Sequence, residues 1–174
     1  MLLLGLLQFL FIIKVIELQK AAIFVDVQNI YYTTKQTFSR SFNYRHFWQS
    51  IATDYDVVDA FAYAIDRGDA QQQKFQSALR HIGFEVKLKP FIQRSDGSAK
   101  GDWDVGITID ILEIAPHVDT IILLSGDGDF DRLLTKTRQQ HSCKTIVFGV
   151  RNLTANSLIN ASSEFVTIDE QWLL

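Results

Sequence analysis

The sequence predicts a three-layer α/β/α protein, in which a mostly parallel central sheet lies between two layers of helices. The first observation is a continuous apolar run, 121–124, that leads into the polar turn 125–129 and then into a segment with helical periodicity. A strand without polar residues is what a parallel sheet covered on both faces requires. The second observation is that strands and helical segments alternate along the chain, which is typical of right-handed βαβ units.

The length and composition fit one globular domain. The chain has 174 residues, of which 47% are hydrophobic and 21% charged, enough to form a full core. The formal net charge of −3 argues against a generally basic nucleic-acid coat. The single cysteine, Cys143, excludes an internal disulfide, and no Cys/His cluster has the spacing of a zinc site. We therefore expect a reduced, cytoplasmic setting with Cys143 as an ordinary buried or half-buried residue.

Residues 1–19 form a hydrophobic extension ahead of the domain, which we place at residues 20–174. The apolar run before Lys14 is interrupted by Gln8, and it is shorter than the roughly 20 residues that span a membrane. A basic leader and a small-residue cleavage site, the marks of a signal peptide, are missing. Three interpretations stay open: a helix packed on the domain or a partner, a membrane anchor, or a non-native start. We favour a non-catalytic extension over membrane association.

From Lys20 onwards, hydrophobic periodicity and turn residues define the elements. Apolar or alternating runs predict strands at 22–25, 56–66, 84–94, 121–124, 143–150 and 164–169. Helical spacing predicts helices after Asp26, within 38–55, and at 70–81, 102–114, 130–140 and 158–162. Asp69 is the expected N-cap of the helix 70–81, which we expect to stop at Gly83. Pro90 and alternating cations place the strand 84–94 near a sheet edge. Lys87, Lys89 and Arg94 lie either on a solvated face, which we favour, or where a phosphate backbone binds.

Several acidic residues fall at one edge of the predicted sheet. Asp26, Asp66 and Asp127 lie at the carboxyl ends of predicted strands, and Asp104 lies in the first turn of a helix, which begins at the carboxyl edge in a βαβ unit. Asp129 shares a Gly-rich turn with Asp127, and the glycines let the backbone turn sharply. The alternatives are structural: Asp26 caps a helix, and Asp104 complements a helix dipole.

These carboxylates predict a metal site. Burying like charges together is costly unless a cation binds them, and carboxylate oxygens favour Mg²⁺ or Mn²⁺ over zinc. Such a site suits phosphodiester hydrolysis. Asn29 and Ser125 are placed to hold the nucleophile or a metal-bound water, and Lys100 to meet a phosphate oxygen. Asp110 lies deeper and about 120° around the helix from Asp104, so we do not expect it to share the ion.

The adjacent aromatic residues Tyr31 and Tyr32 follow the first predicted strand. Such a pair can stack on nucleic-acid bases. Aromatic pairs after a strand are more often part of the core, and we favour that interpretation.

Three motifs together resemble the NYN domain, in its bacterial LabA-like branch of the PIN-like nuclease superfamily. They are DVQN (Asp26 to Asn29), KGDWD (Lys100 to Asp104) with Asp110 beyond it, and SGDGDF (Ser125 to Phe130), and the match covers 21–169. The resemblance implies a PIN-like, Rossmannoid fold and an Mg²⁺- or Mn²⁺-dependent endoribonuclease acting on RNA. It makes Asp26, Asp104 and Asp127 the metal-binding catalytic residues and Asp129 a fourth catalytic carboxylate.

A second function stays open: a non-catalytic RNA- or nucleotide-binding regulatory module. The intact acidic set favours the enzyme. A homodimer is also left open, and the sequence names neither the RNA nor the cleavage pattern.

Overall fold

The computed structural model describes residues 18–90, 92–93, 99–100 and 102–174. The strands are β1 (Gln19–Asp26), β2 (Tyr55–Asp66), β3 (Glu85–Pro90), β4 (Ile92–Gln93), β5 (Ala99–Lys100), β6 (Thr120–Leu124), β7 (Lys144–Gly149) and β8 (Glu164–Thr167). The helices are α1 (Val27–Phe38), α2 (Tyr44–Asp54), α3 (Ala70–Ile82), α4 (Asp104–Ile114), α5 (Asp131–His141) and α6 (Asn156–Ala161).

Six strands form one parallel sheet in the order β3-β2-β1-β6-β7-β8. The chain builds outward from β1 to β3 and then returns to place β6 on the other side of β1. The strand order therefore reverses between β1 and β6, and α/β proteins bind their ligands at the carboxyl ends of strands at such a point. The predicted position of β3 at a sheet edge is confirmed.

Two layers of helices cover the sheet, one on each face. Ile23 and Val25 belong to a core cluster with α1, α2 and α3, whereas Ala22 and Phe24 belong to a second cluster with α4, α5 and α6. This division follows from the alternation of side chains along a strand. The prediction of a three-layer α/β/α domain with a parallel sheet is confirmed.

Local sequence fixes the helix ends. Backbone N–H groups in the first turn of a helix have no partner within the helix. In α1, α2 and α3 one such group donates to the side chain of Asp26, Asn43 and Asp69, respectively. Gly83 ends α3 with a φ of 131°, a conformation that favours glycine. The expected N-cap at Asp69 and stop at Gly83 are both confirmed.

Some predicted boundaries are wrong. The strand expected at 84–94 ends at Pro90, which has no N–H to continue the ladder. Residues 92–93 pair instead with 99–100 in an antiparallel two-stranded ribbon. Two helices, α1 and α2, separate β1 from β2, so strand and helix do not alternate strictly. Tyr55, expected on a helix, starts β2.

Residues 1–17 of the predicted N-terminal extension lie outside the described part of the chain, as do Arg94 and most of the predicted loop 95–101. Among the described helices, none combines the length and the apolar character needed to cross a membrane. Cys143 is a free, buried thiol with 3% exposure, as predicted.

Candidate metal centre

Three carboxylates from separate parts of the chain meet at the reversal of strand order. Asp104 lies in the first turn of α4, Asp127 follows β6, and Asp129 lies in the short turn of helix Gly128–Phe130. One oxygen from each carboxylate lies within 4.8 Å of the other two. Asp104 and Asp127 are half-buried, and Asp129 is exposed.

The spacing of these oxygens fits a hard divalent cation. Two ligands of one ion are at most twice the metal–oxygen distance apart, which is about 4.2 Å for Mg²⁺ and about 5 Å for Ca²⁺. The three oxygens lie no more than 4.8 Å apart, which is close to the widest spacing that two ligands of one such ion can have. All three donors are carboxylate oxygens, the ligand type of Mg²⁺ and Mn²⁺ sites.

Asp26 lies beside this group without belonging to it. Its Oδ1 accepts a hydrogen bond from the Asn29 backbone N–H at 3.1 Å, so the capping role weighed from the sequence is present. Its Oδ2 accepts from Ser125 Oγ at 3.4 Å. One carboxylate thus starts α1 and also contacts the turn that carries Asp127.

A chain of hydrogen bonds positions that turn. Asn29 Oδ1 accepts from the Gly126 N–H at 2.9 Å, and Ser125 Oγ accepts from the Asp127 N–H at 3.2 Å. Asp127 Oδ1 in turn accepts from the Asp129 N–H at 2.9 Å. Ser125 has no exposed surface. Asn29 and Ser125 therefore hold the carboxylates in place, and their predicted contact with substrate stays a prediction.

Close packing explains the glycines of the turn. A Cβ on Gly126 would stand 2.6 Å from the carbonyl oxygen of Leu153, and the Ala155 N–H donates to the Gly126 carbonyl at 3.0 Å. Among the described glycines, positive φ values occur at Gly68 and Gly83 and not in this turn. The expected reason, freedom to turn sharply, is therefore wrong: glycine is needed because the loop after β7 packs directly on the backbone.

The start of α4 is fixed to the neighbouring strands. Trp103 Nε1 donates to the Ala64 carbonyl at 2.8 Å, and Lys89 Nζ donates to the Asp102 carbonyl at 2.9 Å. Lys89 also lies 4.3 Å above the centre of the Trp103 ring, a favourable cation–π contact. The sequence analysis did not predict these contacts of Trp103 and Lys89, although the aromatic residue next to Asp104 in the KGDWD motif was a usable signal.

Asp110 has its own partners. Its Oδ2 contacts Lys87 Nζ at 2.6 Å and accepts from the Tyr63 hydroxyl at 2.6 Å. Lys87 also lies 4.4 Å from the centre of the Phe61 ring. The expectation of a solvated face for Lys87 is therefore wrong, because the side chain is half-buried between a carboxylate and an aromatic ring.

Asp66 and Lys100 were also singled out from the sequence. Asp66 is exposed, and its Oδ1 accepts from the Gly68 N–H at 2.8 Å, which shapes the turn after β2. The backbone of Lys100 lies in β5, and its side chain lies outside the described part of the chain.

Burial and mutual repulsion shift the acidity of the centre. Burial, followed by the charges of neighbouring carboxylates with Asp127 first among them, raises the pKa of Asp104 to about 6. Burial also raises the pKa of Asp26, with a contribution from the charge of Asp127, against hydrogen bonds from Asn29 and Ser125 that lower it. A bound cation would relieve this repulsion.

Two large apolar side chains of α4 near the centre are exposed. Val105 and Ile109 are 67% and 50% exposed. Ile107 and Ile111 are buried instead. Because α4 is apolar almost all round, two faces satisfy the same periodicity, and the sheet covers only one of them.

Tyr31 and Tyr32 also differ from the favoured interpretation as core residues. They are 52% and 51% exposed on α1. Their rings contact each other edge to face with centres 5.4 Å apart. The α1 residues that face the core are Val27, Ile30 and Thr34.

The NYN domain family model matches residues 20–169. The chain belongs to the NYN domain family. The Low amplitude and bright protein LabA of Synechococcus elongatus is 28% identical to this NYN domain over 159 residues, which cover 87% of this chain and 84% of LabA. A crystal structure of a protein of unknown function from Vibrio parahaemolyticus is 51% identical with a TM-score of 0.87, and the match covers 91% of this chain and 98% of that one. The likeness to LabA supports the predicted LabA-like branch.

Proposed function

We propose that this NYN domain is a metal-dependent ribonuclease that hydrolyses RNA phosphodiester bonds at Asp104, Asp127 and Asp129. The observation that supports this proposal most directly is the meeting of the three carboxylates within 4.8 Å at the reversal of strand order. Membership of a family in the PIN-like nuclease superfamily points the same way.

The three carboxylates hold Mg²⁺ or Mn²⁺ in this proposal. A bound ion would supply an activated water and would stabilise the negative charge that builds on the phosphate oxygens. Asp127 and Asp104 set the positions of the metal ligands. Both are half-buried, and hydrogen bonds hold the segments that carry them. Asp129 is exposed and faces the solvent from which substrate arrives.

Asp26 serves the reaction from beside the carboxylate group. Its pKa is raised by burial, which brings its proton affinity closer to that needed for a proton acceptor near neutral pH. Its Oδ2 contacts Ser125, whose hydroxyl also accepts from the Asp127 N–H. We propose that Asp26 orients the attacking water and takes its proton. The resemblance to the NYN family implies an alternative role, in which Asp26 binds the metal directly.

The centre lies at an open sheet edge, so an RNA chain can reach it without a free end. This supports cleavage of internal bonds, as in an endoribonuclease. The buried free thiol of Cys143 is consistent with the reduced cytoplasm, where we propose that the protein acts.

The test compares RNA cleavage by the full chain and by Asp127→Asn, with Mn²⁺ or Mg²⁺ and with EDTA. Asparagine keeps an oxygen that can accept from the Asp129 N–H but carries no charge. We expect cleavage by the parent protein that EDTA stops and that Asp127→Asn lowers by about 100-fold or more.

Asp66→Asn is the matched control, because Asp66 also follows a strand and accepts from a backbone N–H. We expect it to retain activity within about twofold. Cleavage that survives EDTA, or that Asp127→Asn and Asp66→Asn affect equally, would contradict the proposal. RNA binding without cleavage by either protein would favour the non-catalytic binding module.

A further inference from the structure

An open groove runs between α5 and α6, on the sheet face that also carries α4. Its volume is about 460 Å³. Arg132, Lys136 and Gln139 of α5 line one side, and Ser157 and Asn160 of α6 line the other. The residues that line the groove carry hydroxyl, amide and cationic groups, the set that proteins use to bind phosphate and sugar oxygens.

The groove is continuous with the carboxylate group. α5 begins at Asp131, directly after the turn that carries Asp127 and Asp129. Ser157 Oγ lies 3.2 Å from the place where a Cβ on Gly128 would stand. Gly128 separates the two carboxylates in sequence, so the groove starts beside them and extends away along α5. From Arg132 to Gln139 the helix rises about 10 Å.

Two cations of the groove are available to a ligand. Arg132 and Lys136 lie one helical turn apart on the same side of α5, and both are exposed. The ion pairs found in the described part of the chain are Lys87 with Asp110 and Lys144 with Glu164, so neither groove cation takes part in one. The carboxylate that lines the groove, Asp131, is the first residue of α5 and lies at the end nearest the carboxylate group.

The overall charge makes this local pair important. With a formal net charge of −3, the protein does not attract a polyanion over its whole surface. Affinity for a phosphate backbone then depends on a few cations placed beside the reacting bond. Arg132 and Lys136 have that placement, and the neutral donors Ser157, Gln139 and Asn160 can fix the register of the backbone between them.

We propose that the α5–α6 groove binds the sugar–phosphate backbone of single-stranded RNA next to the bond that is cut, independently of base sequence. This inference rests on the proposed ribonuclease function. Arg132 and Lys136 contact phosphates, and the RNA continues along α5 after leaving the carboxylate group.

The test uses the full chain and a fluorescein-labelled single-stranded RNA. Binding is measured by anisotropy in the cleavage-deficient Asp127→Asn background, with and without Mg²⁺, over a series of salt concentrations. The kinetics of cleavage are measured in the unsubstituted background with Mn²⁺. The groove pair, Arg132→Glu with Lys136→Glu, is compared with a control pair, Lys74→Glu with Arg80→Glu.

The control pair changes the net charge equally and lies on α3, on the opposite face of the sheet. For the groove pair we expect Kd and KM to rise at least about tenfold and kcat to change less than about threefold. The slope of log K against log salt should fall by about 1.4, because two phosphate contacts are lost at about 0.7 each. The control pair should leave Kd and KM within about threefold.

If the groove pair and the control pair change Kd and KM equally, the groove assignment is overturned while the ribonuclease proposal stands. If the unsubstituted chain neither binds nor cleaves RNA with Mn²⁺ present, both proposals fail. Circular dichroism and thermal melting show whether each variant is folded. If charge reversal unfolds the groove pair, Arg132→Gln with Lys136→Gln replaces it. For this neutral pair we expect Kd to rise at least about fivefold. An unchanged Kd would overturn the groove assignment.

Discussion

Replacing Asp104 with asparagine should stabilise the metal-free protein at neutral pH. Burial and neighbouring carboxylates raise the pKa of Asp104 from its ordinary value of 3.8 to about 6. At 1.36 kcal/mol per pKa unit this is about 3 kcal/mol at most, and because the side chain is partly exposed, solvent screening reduces it to about 1–2 kcal/mol. Asparagine has similar shape and no charge, so it removes this cost.

The sign of the effect follows from protonation. Well below pH 3.8 Asp104 is neutral in both the folded and the unfolded chain and the variant has no advantage, and near pH 4 its advantage is still small. Between about pH 4 and 6 the folded protein retains a proton that the unfolded chain has lost, so the stability contributed by Asp104 falls as the pH rises. Above about pH 6 the folded protein carries the charge, and the advantage of the variant is complete.

The assay is thermal unfolding in EDTA at pH 4 and pH 7.5. At pH 7.5 we expect the melting temperature of Asp104→Asn to exceed that of the parent by about 3–6 °C, and at pH 4 we expect only a small difference. Asp59→Asn, an exposed carboxylate in β2, should change it by less than about 2 °C at either pH. Mn²⁺ should then raise the melting temperature of the parent more than that of the variant. Equal melting temperatures at pH 7.5, or the same gain at pH 4, would refute the reasoning.

Three further predictions concern packing and thiol reactivity. Lys87→Met leaves the half-buried Asp110 carboxylate without its cation. The free energy of unfolding, measured in urea, should fall by about 1–3 kcal/mol. If the loss were equally large in an Asp110→Asn background, the pairing would be contradicted. Gly149→Ala directs a methyl group into Thr154 Oγ1, which should cost about 1–3 kcal/mol and less in a Thr154→Ala background; equal losses would exclude the clash. Burial raises the pKa of Cys143 to about 11, so at pH 8 a thiol reagent should modify the native protein about 100-fold more slowly than the urea-unfolded chain; similar rates would refute this.

Strands and helix caps were predictable because each depends on a short stretch of sequence. The run 121–124 is fully buried, as its lack of polar residues indicated. Asp69 caps α3 through a hydrogen bond to Gln72, three residues away. The order of elements then placed Asp104 and Asp127 at one sheet edge, because every strand of a parallel sheet has its carboxyl end there.

Other features depend on contacts between distant residues. Lys87 in β3 pairs with Asp110 in α4, and the sequence shows only an alternating strand and a helical carboxylate. The apolar residues of α4 fit two faces, and the packing against α5 and the sheet decides that Ile107 and Ile111 are buried. Glycine is needed at position 126 because the carbonyl oxygen of Leu153 lies too close for a Cβ. Leu153 reaches this position because the loop after β7 packs on the turn. The groove likewise exists only because α5 and α6 pack together.

The contact between Gly126 and the loop after β7 also determines when the centre forms during synthesis. β6 lies between β1 and β7, and the Ala155 N–H holds the Gly126 carbonyl. Domains generally fold as units during synthesis. A nascent chain that has completed α4 contains Asp26 and Asp104 but lacks the support that fixes Asp127 until Ala155 has emerged. Under the proposed ribonuclease function, the protein therefore stays inactive beside messenger and ribosomal RNA for most of its own translation.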